Sequence, residues 1–247
     1  MDSADDPPTA TLAFIFQSEF ATGAAKKTGF IDWGWLKDHL TEIVLPSLLQ
    51  HIFLSFVSVA IALVIALPLG VLAARKRRLY APLTAITGFL YTIPSFSLFT
   101  IMIFILGFSV GRTPVIVALV SYSLLILIRN VVTGLDSVPA ETIDAARGLG
   151  LTSRQILFRV EMPLALPVIV AGIRIATVTV IGIAVIGSYI GGGGLGDLVF
   201  DGITRDFPTM YVTGAVLATL LAILTDLVLV RTERAMSPWS RRVRRAT

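Results

Sequence analysis

ETIDAARGLGLTSRQILFRVEMPLALP, residues Glu141–Pro167, is a polar, helix-forming insert in a chain that otherwise alternates long apolar runs with short charged breaks. Such a segment adds nothing to anchoring in a bilayer. It offers a rigid, partly apolar surface held outside the membrane, as docking onto a soluble partner requires. Two helices are expected within it. The first has Pro139 in its opening turn, with Glu141 and Asp144 where the N-terminal dipole favours negative charge. It runs through Ala145 and Ala146 and stops at Gly148 or Gly150, glycine being the usual left-handed cap. The second opens with Thr152 and Gln155 at capping-box spacing, flanked by Leu151 and Ile156 as a hydrophobic staple. It is expected to end near Met162-Pro163, giving an elbow that exposes Ala145, Ala146, Leu149 and Leu151.

Outward from the insert, the chain is too apolar for water. Of 247 residues 55% are apolar and 15% charged, with a mean hydropathy of +0.85, against about 25% charged in soluble domains. Five stretches are long and apolar enough to span a bilayer: 47–74, 81–106, 114–135, 164–190 and 209–230. The fold class is therefore all-α, a polytopic membrane protein with about five core transmembrane helices and a cytoplasmic insert. Residues 32–45, DWGWLKDHLTEIVL, mix two tryptophans with charges and read as a short amphipathic helix at the interface. The domain division that follows is an extracytoplasmic segment 1–43 carrying that helix, a transmembrane domain 44–231 with the insert at 136–163, and a basic tail 232–247. The start of the chain, MDSADD, is acidic and its apolar run 12–16 is short, so no cleavable signal peptide is expected.

Charge sets the orientation. Arg75, Lys76, Arg77 and Arg78 follow the first span, and Arg147, Arg154 and Arg159 lie between the third and fourth. Arg231, Arg234, Arg241, Arg242, Arg244 and Arg245 follow the fifth. The opposite connections hold one arginine in 107–113, and Asp197, Asp201 and Asp206 against Arg205 in 191–208. The positive-inside rule then places the N-terminus outside and the insert and C-terminus in the cytoplasm. A net charge of +4 distributed this way speaks for topology, not for nucleic acid.

Several chemistries are excluded. Cysteine is absent, and His39 and His51 have no ligand spacing for a metal. None of Lys26, Lys27, Lys37 and Lys76 sits in a phosphate loop, so ATP hydrolysis needs another chain. Gly191, Gly193 and Gly196 satisfy G-x-G-x-x-G, but a span precedes them where a dinucleotide fold needs a strand. They read as a flexible turn into a short helix at 197–203. Pro68 and Pro94 interrupt spans, and Thr92, Ser95 and Ser97 are available to satisfy the carbonyl that Pro94 frees. Arg129, Arg174 and Asp226 lie toward the cytoplasmic ends of their spans; Asp226 is expected to pair with Arg174 or Arg129, the alternative being that each reaches the interface alone.

Asp144-Ala145-Ala146, Gly150, Val160 and Met162-Pro163 resemble the EAA loop of ABC importer permeases. That pattern reads Glu-Ala-Ala, three residues, Gly, nine residues, Ile, one residue, Leu-Pro, and the spacing here matches throughout. Asp for Glu, Val for Ile and Met for Leu are mild departures. The resemblance implies the type I ABC importer permease fold, with Glu141, Asp144, Ala145, Ala146, Gly150, Thr152, Val160, Met162 and Pro163 in a loop coupled to a separate ATPase. The stretches LPLGVLAAR (67–75), YTIPSFSLF (91–99), RNVVTGL (129–135), LPVIVAGIR (166–174) and IGGGGLGDLVFDGI (190–203) resemble permeases of osmoprotectant importers for glycine betaine, carnitine or choline. Methionine-importer permeases are similar over GGGGLGDL, so a methionine or other amino-acid importer stays open.

Partners implied by the resemblance are two ATPase copies holding ATP and magnesium, a second permease chain (identical or similar), and an extracytoplasmic solute-binding protein touching Gly194, Gly196 and Asp197. The location implied is a bacterial or archaeal cell membrane. Neither catalytic nor metal residues are expected in this chain, and no cofactor. A secondary transporter driven by an ion gradient is the reading from another class. It predicts inverted repeats and charges at the bilayer midplane, whereas no repeat is found and the charges sit off-centre.

Overall fold

Without water to satisfy backbone N–H and C=O groups, an apolar chain in lipid closes its hydrogen bonds within each segment. The computed structural model describes residues 30–236, and every regular element among them is helical. The readings on residues 1–29 and on Arg241, Arg242, Arg244 and Arg245 fall outside those described. Helix α1 (Trp33–Asp38) is capped by Asp32, whose carboxylate accepts from the Trp35 N–H at 3.0 Å. Trp33 is exposed as an interfacial residue should be, but Trp35 turns inward, stacked on His39 and edge-on to Phe207. A π turn, Leu40–Val44, then leads unbroken into α2 (Leu45–Arg75).

The second expected span is not one straight helix. It divides into α3 (Tyr80–Thr92) and α4 (Ser95–Phe104), with the segments Arg77–Thr92 and Ser95–Phe104 meeting at 97°. The cause is Pro94: it has no N–H to donate, and its ring pushes Ile93 out of the helical region, to ψ 126°. The carbonyl left over at the corner is not served by the neighbouring hydroxyls. Thr92 donates back to Phe89, while Tyr122 of the next span donates its hydroxyl to Ile93 O. Tyr122→Phe is therefore expected to destabilise the protein by about 1–3 kcal/mol, the cost of stranding an acceptor, read as a lower thermal midpoint in detergent.

Helix α5 (Arg112–Asp136) follows, then the insert with α6 (Ala140–Gly148) and α7 (Ser153–Ile156), then α8 (Met162–Gly187), α9 (Leu195–Thr204) and α10 (Pro208–Met236). Four helical stretches, Leu40–Arg75, Arg112–Asp136, Ser153–Ile190 and Pro208–Arg234, are each long and apolar enough to cross a membrane, and the bent pair counts as a fifth if taken as one span.

Helices α2, α5 and α8 form the centre, packed on one another. With lipid on the outside, close backbone approach rather than water exclusion holds such helices together. Gly172 of α8 shows how close: a Cβ there would lie 2.4 Å from Cβ of Asn130 on α5. Helix α10 packs on α8 and α9 at the periphery, and α3 and α4 lean on α5.

Candidate functional site: the insert and its anchors

The first turn of the insert ends as its glycines require. Gly150 has φ +79°, the Leu151 N–H reaches back to Ala146 O at 3.2 Å, and the Gly150 N–H to Arg147 O at 2.9 Å. These two bonds make a Schellman cap that satisfies the last carbonyls of α6. Thr152 then closes the expected capping box: Gln155 Oε1 accepts from the Thr152 N–H at 2.8 Å, and Thr152 Oγ1 from the Gln155 N–H at 3.4 Å.

Two details differ from the sequence reading. Ala146 faces inward and is 6% exposed, so it packs rather than docks. Leu151 is half-buried. The outward apolar positions are Leu149, at 81% exposure, and Phe158, at 60%. Glu141, Asp144 and Ala145 are also exposed, and Asp144 pairs with Arg147 along the helix at 2.9 Å.

Nor does the second helix end at Met162-Pro163. It passes through a π turn, Leu157–Glu161, and continues as α8, so that Ser153–Ile190 is one stretch of 38 residues. At 1.5 Å per residue that is roughly 57 Å, nearly twice a bilayer core of about 30 Å. The elbow is thus the protruding end of a span rather than a separate hairpin. Pro163 lies in the first turn of α8, and the wider i→i+5 winding just before it, with Met162 N–H on Leu157 O, leaves room for its ring. Val160 and Met162 are half-buried on this continuous helix.

The expected charge trio resolves into a different set. Arg174 donates Nε and Nη2 to the two Asp226 oxygens at 3.0 and 3.3 Å, and Nη1 to Glu233 at 3.0 Å. Arg129 stays outside this group, exposed on α5. Glu233 was legible in principle, because it stands seven residues after Asp226 and so shares its helix face. Nearer the insert, Arg75 forks onto Glu161, which is 3% exposed, and Arg77 forks onto Asp136. Composition alone marked Arg75 and Arg77 only as topology signals.

At the other end of the molecule, the glycine turn is seated rather than loose. Gly194 and Gly196 are buried, with the Gly194 N–H on Gln50 Oε1 at 3.2 Å and His51 Nε2 3.0 Å from Ile181 O. Those two glycines therefore have no surface to offer a partner; their role is close packing against α2 and α8. Asp197 is half-buried beside them. Burial, reinforced by Asp201 and opposed by Arg112, pushes its carboxyl up to about 7.

Asp197 gives a pH prediction. The folded chain holds that proton more tightly than the unfolded chain, whose carboxyl has the ordinary value of 3.8. The linked stability is fully present below that value and lost as pH rises to about 7. The thermal midpoint should fall by a few degrees between about pH 5 and about pH 8, and Asp197→Asn should flatten that slope. An unchanged slope in the variant would refute the assignment.

A bundle of spans with a helical elbow built onto one of them is the architecture of a polytopic membrane protein. Residues 66–239 match the family described as binding-protein-dependent transport system inner membrane component, and the chain belongs to that family. It is a membrane-spanning permease of an ABC importer. Membership brings an ATPase subunit and a solute-binding protein as partners. The glycine betaine/carnitine/choline transport system permease protein OpuCB of Bacillus subtilis is 39% identical over 76% of this chain and 86% of its own length. The osmoprotectant import permease protein OsmW of Salmonella typhimurium is 42% identical over 76% of this chain and 89% of its own. Among solved structures, an inward-facing conformation of the MetNI methionine ABC transporter superposes with a TM-score of 0.72 at 28% identity, covering 80% of this chain and 97% of that one.

Proposed function

We propose that this chain lines the membrane path of an importer for osmoprotectants such as glycine betaine, carnitine, choline or proline betaine. It does so as one of two permease chains, identical or similar, driven by two ATPase copies that hold ATP and magnesium. Residues 44–231 form the permease body, preceded by an extracytoplasmic segment and followed by a basic cytoplasmic tail. The insert 136–163 faces the cytoplasm, where Leu149, Phe158 and Ala145 touch the ATPase and Gly150, Thr152 and Pro163 hold the shape they ride on. The observation that carries this reading is the doubly capped turn at 148–155, which fixes α6, with Ala145 and Leu149 exposed, against the start of a helix that carries Phe158 and is continuous with a span. Because the helical winding continues from Ser153 through the π turn into α8, a push on the elbow is delivered into the bilayer along one continuous stretch.

The solute class draws support from relatives near 40% identity whose names specify glycine betaine, carnitine, choline or osmoprotectants. On the extracytoplasmic side the solute-binding protein meets the exposed residues of α9, such as Asp201 and Ile203, in place of the buried glycines. Phe96, Tyr189 and Phe200 form a run of edge-to-face rings at 5.2 and 5.5 Å, and Phe96 and Tyr189 are exposed aromatics of the kind that attract a quaternary ammonium. A methionine importer is the second reading, favoured by the resemblance of the backbone to MetNI.

The test is reconstitution of the chain with its ATPase and binding protein in proteoliposomes. Glycine betaine should stimulate ATP hydrolysis and methionine should not; the reverse would move the assignment to the second reading. In the same system Gly150→Val should leave little uptake. Space is open around Gly150, so the effect comes from its left-handed backbone, which costs a side-chain-bearing residue about 1–2 kcal/mol and a β-branched one more. Unimpaired uptake would count against the elbow as the coupling element.

A further inference from the structure

The insert is joined covalently to α5 at one root and to α8 at the other, but nothing in the chain's connectivity joins it to α2. Two side chains supply that link. Arg75, the last residue of α2, donates Nη1 to Glu161 Oε1 at 3.0 Å and Nη2 to the other oxygen of the same carboxylate. Arg77, two residues on, donates Nη1 to Asp136 Oδ2 at 2.8 Å and Nη2 to Oδ1. Asp136 is the last residue of α5 and Glu161 the last before α8, so the two partners are the two roots of the insert.

The two pairs do different work. Glu161 is almost wholly buried, so parting it from Arg75 leaves a desolvated carboxylate without its partner. Asp136 and Arg77 are exposed, where an ion pair adds little stability, but a two-pronged contact of this kind still fixes direction. Among the described residues the insert has one other ion pair, Asp144 with Arg147, which lies inside α6 and holds neither root.

From this geometry we infer that Arg75 and Arg77 are positioning residues for transport: they clamp both roots of the insert to the first span, so that a displacement of the elbow moves α2 together with α5 and α8. The inference rests on the insert being the ATPase contact. Without the clamp, α2 would follow the elbow only through apolar packing, such as that of Val71 and Ala74 on the cluster that Leu157 and Met162 also cover.

The test uses the complete reconstituted importer with two double variants, R75Q/E161Q and R77Q/D136N, and with both combined. Removing each charge together with its partner avoids leaving a bare buried carboxylate. The ATPase should co-purify in unchanged amount and the thermal midpoint should stay near that of the parent, while solute imported per ATP hydrolysed falls about tenfold in the combined variant. A merely structural role would lower yield and midpoint and leave that ratio alone. If R75Q/E161Q does not accumulate, the exposed pair R77Q/D136N carries the test, with a smaller fall in the same ratio. An unchanged ratio overturns the inference, as does loss of ATPase co-purification, which would mean the arginines build the docking face rather than transmit its motion. Failure of the parent chain itself to bind the ATPase would instead strike at the reading of the insert.

Discussion

Gly196→Ala is expected to do more damage than alanine at any other glycine among the described residues. A Cβ on Gly196 would sit 2.1 Å from Val185 O, in the last turn of α8, and 2.2 Å from Ser188 Oγ, just past its end. Real contacts of that kind do not come under 3.0 Å, so α9 must move by roughly 1 Å. It has nowhere to go. Leu195 and Leu198 on the same helix are at most 1% exposed, packed with Ile43, Val44 and Met210. Overpacking of this severity costs on the order of 3 kcal/mol, and the thermal midpoint of the purified chain should drop by roughly 6–12 °C. Gly182→Ala is the control. Gly182 lies in α8 with nothing within 4 Å of the added atom, so alanine should stabilise by up to about 1 kcal/mol through helix propensity. Equal effects at the two positions would show that the glycine turn is not seated as described.

Arg174→Met is the second large effect. It leaves Asp226 and Glu233 seven residues apart on one face of α10, without their shared cation. Breaking a fully buried pair this way costs about 3–5 kcal/mol. The three side chains here are 28–37% exposed, so about 2 kcal/mol is the expected loss, with lower yield in the membrane. Arg174→Lys should recover only part, because an ammonium is a point donor and cannot fork onto Asp226 while also reaching Glu233. The triple variant R174M/D226N/E233Q should regain most of the lost stability, since no bare charge is left. Arg129→Met should leave the midpoint unmoved, and a fall there as large as at Arg174 would contradict the pairing.

What could be read directly from residue order were the features set by local physics. Apolar length marks the spans, because only a closed helix of about 20 residues satisfies its backbone in lipid. Thr152 with Gln155, and Gly150, mark the caps of the elbow, because a cap needs a particular side chain or a left-handed residue at a fixed offset. The family pattern from Asp144 to Pro163 is legible for the same reason.

Tertiary structure decided what depends on how one helix is turned toward another. Pro94 is compatible with a shallow kink or a right-angled corner, and the corner exists where a hydroxyl from a separate span, Tyr122, meets the spare carbonyl at Ile93. Hydropathy does not distinguish a π turn from an α turn, so it gave no sign that the second helix of the insert runs on into the fourth span. Arg174 takes Asp226 and Arg129 does not, because packing rotates α8 toward α10 and leaves Arg129 on an exposed face of α5. The glycines at 194 and 196, polar-looking in sequence, are buried because only residues without a side chain let α9 lie so close to α2 and α8.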